Sequence, residues 1–166
     1  TYIWNISKTC CHVMVRSYYW HPYMKGSNSI KKVLPAIMND SQFIQNKYSE
    51  PIYGINNKIK SLNFNNKKWV EFDQNRHVMD PYKNLPDLEY IIPVGLSNIE
   101  NMSLDSNIKD GGAAMTAWAY MQFEGVGNTE KIEICNALKR YCELDTMAMV
   151  IIIEAWRDMI NTNSYE

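Results

Sequence analysis

The chain has 166 residues, 46% of them hydrophobic and 21% charged, with a formal net charge of −1. That length suits one domain with a real core, and the composition is that of a folded chain rather than a disordered one. A net charge so close to zero excludes a global basic field, so any contact with nucleic acid must come from a local patch.

Four cysteines, Cys10, Cys11, Cys135 and Cys142, include no CxxC pair. Their spacing matches neither a zinc site nor a disulfide framework, and reduced thiols in a cytoplasmic protein are expected. The opening "TYIWNISKTCCHVMV" lacks a basic n-region, a long apolar run and a cleavage motif. The longest apolar run, "MAMVIII", is far short of the roughly 20 residues that cross a bilayer, so no membrane partner is expected. The chain begins without methionine and in mid-pattern, which suggests the later part of a longer reading frame.

In chain order, "CHVMVRSYYW" is expected to form a helix that breaks at His21-Pro22, because a proline ring disfavours helical geometry at the residue before it. The aromatics Tyr18, Tyr19 and Trp20 are read as core. "KGSNS" is a loop, and Ser29 can cap a helix through "IKKVLPAIMN", with Pro35 predicting a short first helix or a kink. Residues 47–109 are rich in Asn, Lys and Pro and weakly periodic. They read as loop with little regular structure, either functional or an insertion on the surface, whose clearest feature is a hairpin around "DQNR". Residues 110–160 are the most regular. Asp110 can cap a helix after Gly111-Gly112, with Ala114, Trp118 and Met121 on one face. The last helix, over about residues 129–160, carries Leu138, Tyr141, Ala148, Ile152 and Trp156 at three- and four-residue steps.

Asp145 stands in register with that stripe, four residues after Tyr141. Side chains four apart on a helix share a face, whereas Glu143 points elsewhere and reads as a solvated charge. An ionised carboxylate on a packed face costs several kcal/mol unless it is paired, hydrogen-bonded or bound to metal. Two readings are open. Tyr141 or a distant lysine satisfies Asp145, or a small rotation exposes it; pattern alone favours this, since buried polar groups find partners. Alternatively Asp145 is a ligand for a divalent cation, with oxygen chemistry suited to Mg²⁺ or Mn²⁺.

Other constellations are weaker. His12, His21 and His77 lie on separate segments with no further ligand at metal spacing. "DGGAA" lacks the context of a phosphate-binding loop and reads as a cap and turn. Cys142 has no apparent histidine partner and is not expected to be a nucleophile. Lys58, Lys60, Lys67 and Lys68, interleaved with Phe64 and Trp69, make the best basic-aromatic patch, either a grip for single-stranded nucleic acid or a solvated surface.

"YCELD" matches the Tyr-x-x-x-Asp motif of DnaQ-like 3′–5′ exonucleases of the DEDD type. More specifically, "YYWHPYMKGSNSIKKVLPAIM", "DGGAAMTAWAYMQF" and "LKRYCELDTMAMVIIIEAW" together resemble the C-terminal half of the bacterial domain-of-unknown-function family 2779. "KYSEPIYG", "IKSLNF" and "DPYKNLP" resemble its inserted segment, so the likeness covers about residues 13–160. That family is regarded as a predicted nuclease. The resemblance implies an α/β fold: the α-rich C-terminal portion of a ribonuclease-H-like domain, its first sheet strands missing. Residues 1–166 would then form one partial domain with a divergent or foreign start over 1–12.

By the same resemblance Asp145 is the last carboxylate of a metal cluster and Tyr141 positions the attacking water. Lys31, with Lys32 beside it, meets backbone phosphate. His21 and Gly26 form a turn near the substrate, DNA or RNA. The superfamily's Asp-x-Glu strand and its second acid do not precede "YYWHP" here. A two-metal mechanism needs several carboxylates, so the missing N-terminal portion must supply them and the isolated chain is expected to be inactive. The rival expectation is a non-catalytic helical module that binds nucleic acid or protein.

Overall fold

Pro22 sets the first turn. Its ring holds His21 extended, at φ −143° and ψ 142°, ahead of one turn of 3-10 helix, Pro22–Met24. The computed structural model describes residues 19–85, 111–122 and 125–163; the expected helix over 11–20 falls mostly outside these, and Tyr19 and Trp20 are not helical. Among the described residues four α-helices and one two-stranded parallel sheet make a mostly helical architecture. None of the helices is long and apolar enough to cross a membrane. Two compact units divide the chain, one gathering residues up to Pro81 with those from Glu143 onward, the other running Tyr82–Cys142.

In the first unit, α1 (Ile30–Asp40) starts after Ser29, as expected from sequence. Ser29 is extended there, but its side chain makes no capping bond. Pro35 lies inside α1, which runs on through it. A proline in mid-helix forfeits a backbone bond, and burial compensates: Val33, Leu34, Ala36, Ile37 and Met38 are all fully buried. Each large apolar side chain so buried contributes about 1.5–3 kcal/mol. Buried Ser41 ends α1 and caps α2 (Gln42–Tyr48) by accepting the Ile44 N–H at 3.3 Å. Gln45 Nε2 donates to the carbonyls of Met38 and Asn39, both at 3.0 Å, satisfying acceptors at the end of α1.

The chain then turns through two strands of two residues each, β1 (Tyr53–Gly54) and β2 (Ile59–Lys60), paired in parallel as Tyr53 with Ile59 and Gly54 with Lys60. Parallel strands usually need a long crossover. Pairs this short close instead around a single wide loop, filled by the side chain of Asn57, which donates to the Pro51 carbonyl and to Asn66 Oδ1 at 3.0 Å. Tyr53, Phe64 and Trp69 pack edge to face with centroids 5.1 to 6.2 Å apart. The expected hairpin around "DQNR" is a turn closed by one antiparallel bridge, Phe72 with Val78. Asp73 Oδ1 accepts the N–H groups of Asn75 and His77 there, and Arg76 takes a left-handed φ of 62°.

In the second unit, α3 (Gly111–Tyr120) begins two residues before the expected start after Gly111-Gly112 and takes in both glycines; Asp110 lies outside the described residues. The buried residue of α3 is Ala117, and Met121, in the turn that follows, is buried as well. Trp118, expected on the core face, is 58% exposed, one position round the helix from Ala117. The last helix, α4 (Asn128–Asn163), is continuous, and the boundary between the units falls within it.

Candidate functional site

α4 owes its length to a strict apolar repeat. Ile134, Ala137, Tyr141, Leu144, Ala148, Ile151 and Ala155 alternate three- and four-residue steps and are all buried. Leu138 and Trp156, expected in this stripe, are only half-buried at its margin. Tyr141 belongs to it: its side chain is 6% exposed, with its ring centroid 6.2 Å from that of Tyr82. Asp145, one turn further on, is half-buried at the edge of the stripe beside Leu144, in contact with its surroundings and partly open to solvent.

Glu143 is not a solvated charge. It is half-buried, and its carboxylate accepts the Tyr53 hydroxyl on Oε1 and the Asn63 side-chain amide on Oε2. Glu154, eleven residues on, plays the same part for α2. It accepts Lys47 Nζ at 2.7 and 2.8 Å and the Tyr48 hydroxyl at 2.8 Å. Eleven residues make about three turns, so both carboxylates share one helix face. Asp145 is turned about 200° from Glu143 around the helix axis. The two neighbouring acids therefore serve different surroundings. The missed signal was that spacing of two acids flanking an apolar stripe.

The tyrosines bound by these acids are themselves perturbed. Burial, reinforced by the bond to Glu154, pushes Tyr48 well above the ordinary tyrosine value of 10.0. Burial and the bond to Glu143 do the same to Tyr53, with Ser61 opposing weakly. Burial and the nearby charge of Asp40 push Tyr19 up to about 12. Above pH 10 the unfolded tyrosines lose their protons while the folded ones keep them. The stability they contribute is thus complete below pH 10 and falls as pH rises further, by about 1.4 kcal/mol per pH unit for each tyrosine. Urea unfolding followed by circular dichroism should show this decline between pH 10 and 11, and Tyr48→Phe and Tyr53→Phe should each flatten it.

The remaining candidates lie on the first unit's opening segment. His21 caps the 3-10 turn, its Nδ1 accepting the Tyr23 N–H at 3.2 Å. Lys31 is half-buried and Lys32 exposed in the first turn of α1, and Gly26 follows Lys25 in consecutive positive-φ geometry at 77° and 49°. The basic-aromatic patch around Lys58 to Lys68 is no stacking surface, because Phe64 is 9% and Trp69 2% exposed. Trp20, expected in the core, is instead 73% exposed. His77 is exposed beside Asp73, and Cys142 is exposed.

A divalent cation of the Mg²⁺ kind takes about six oxygens. Asp145 supplies one carboxylate, and among the described residues no three His, Cys, Asp or Glu side chains converge. The described residues therefore do not by themselves form a metal centre. No family model matches the chain, and neither a curated protein nor a solved structure matches it.

Proposed function

We propose that this chain is the C-terminal part of a metal-dependent nuclease that hydrolyses phosphodiesters, with α4 as the helix that closes the site. The observation that carries this reading is the arrangement on α4: Tyr141 and Asp145 stand one turn apart, the tyrosine packed and the acid at the margin of the apolar stripe. Glu143, the neighbouring acid, accepts hydrogen bonds from Tyr53 and Asn63 and so has a structural part to play on the opposite side of the helix. The resemblance of "YCELD" to the DnaQ-like motif supports the same pair.

In this reading Asp145 contributes one carboxylate toward Mg²⁺ or Mn²⁺, and residues outside the described ones contribute the rest. The cation's chemistry is to activate water and to stabilise the leaving oxygen. Tyr141 acts through its position: a ring fixed by packing holds its hydroxyl still, and a still hydroxyl can orient a water. The family assignment and a ribonuclease-H-like fold for the whole domain are part of the same proposal.

The full-length protein should shorten a labelled single strand of DNA or RNA in Mn²⁺ and stop when EDTA is added. Absence of any Mn²⁺-dependent cleavage across both substrates contradicts the proposal. Tyr141→Phe keeps the ring and removes only the hydroxyl. It should lower kcat by about a hundredfold with KM little changed, the pattern of a group that acts in the transition state.

A further inference from the structure

We propose that the turn from Trp20 to Lys32 is a stacking platform for an unpaired nucleic-acid strand; this deepens the nuclease reading by naming a single-stranded substrate, and it rests on that reading. Aromatic rings carry large apolar surfaces that folding normally hides. Here Trp20 is 73% and Tyr23 54% exposed, three residues apart in the sequence, Trp20 just ahead of the 3-10 turn and Tyr23 within it. The Tyr23 ring is backed by His21, with centroids 5.3 Å apart and planes within 7° of parallel. The imidazole is fixed in turn by the Tyr23 N–H that its Nδ1 accepts. The Tyr23 ring is thus both exposed and held in place, which lowers the entropy lost when a base stacks on it.

The lysines of this segment suit a phosphodiester chain, although the carboxylate of Asp40, at the far end of α1, acts on Tyr19. Between residues 19 and 39 the only charged side chains are Lys25, Lys31 and Lys32, in a chain whose net charge is −1. Lys25 and Lys32 are exposed. Bases in a duplex are already stacked on each other, so exposed rings favour an unpaired strand. Aromatic rings interleaved with cations are the usual means of gripping one without reading its sequence.

The test is fluorescence anisotropy of a labelled oligothymidylate of about twelve nucleotides, a length within the usual range of single-strand sites. The protein is the full-length chain carrying Asp145→Asn, so that the probe is not degraded. Trp20→Ala and Tyr23→Ala are each expected to weaken binding about tenfold, Tyr23→Phe to leave it near the parent value, and a blunt duplex to bind more weakly. Lys25→Ala with Lys32→Ala should flatten the slope of log affinity against log salt by about 1.4. Circular dichroism and the unfolding midpoint check that these surface variants keep the fold. Parent-like binding by both alanine variants, or equal affinity for duplex, overturns the platform. If that occurs while Asp145→Asn still abolishes turnover, the nuclease reading survives alone. Loss of binding in the alanine variants supports the platform, including in a protein found to have no turnover.

Discussion

Gly54→Ala is expected to lower the stability of the first unit by about 3 kcal/mol or more, enough to unfold a marginal domain. Gly54 has φ +151°, a conformation that side chains other than glycine's hydrogen rarely adopt. Such backbone strain alone costs about 1–3 kcal/mol. A methyl group there would also meet the Asn66 backbone nitrogen at 2.7 Å and the Asn65 Cα at 3.0 Å, and would run into Asn57 Oδ1. The asparagine cannot simply move aside, since its side chain closes the loop through Pro51 and Asn66. Relief would therefore have to come from the backbone on both sides of the two-residue strands. Urea unfolding of the alanine variant measures this, and a loss below about 1 kcal/mol would show that the loop can relax. Gly26 is a useful contrast: its φ of 77° is strained for a side chain, but nothing lies within 4 Å of the added atom. Alanine there meets the strain without the clash and should cost less.

Helical periodicity was legible because it is local. Ser29 and Pro22 mark real boundaries, and α4 differs from its expected bounds by only a few residues. The stretch from Pro51 to Leu85 reads correctly as irregular, since strands of two residues show no alternation. What sequence could not reveal depends on distant partners. Phe64 and Trp69 look like surface aromatics among lysines, yet both pack against Tyr53. Trp20 looks like core because of the apolar residues near it, yet it stands out from the turn that Pro22 imposes. Glu143 and Asp145 are two residues apart, and only coordinates show that Tyr53 and Asn63, 90 and 80 residues away, claim the first of them. Among the described residues no three His, Cys, Asp or Glu side chains converge, so the proposed cation site is legible only as a motif on one helix.

The nuclease proposal gives these two acids different roles, and from it follows the second large effect. Asp145→Asn preserves volume and removes charge at a half-buried margin, so the fold should tolerate it, with a stability change within about 1 kcal/mol. Phosphodiester hydrolysis should fall at least roughly a hundredfold, because an amide replaces an anionic ligand. Glu143→Gln makes the same chemical change two residues earlier. It weakens charge-assisted bonds to Tyr53 and Asn63, each worth about 1.5–3 kcal/mol, so it should lower stability by about 1–2 kcal/mol while turnover of the folded protein stays near the parent rate.

The decisive measurement is the Mn²⁺-dependent cleavage rate of a labelled single strand by full-length Asp145→Asn and Glu143→Gln, each set beside its urea midpoint. The account predicts a folded, inactive aspartate variant and a less stable, active glutamate variant. Full turnover in Asp145→Asn would contradict it, as would inactivity in a Glu143→Gln protein that remains folded.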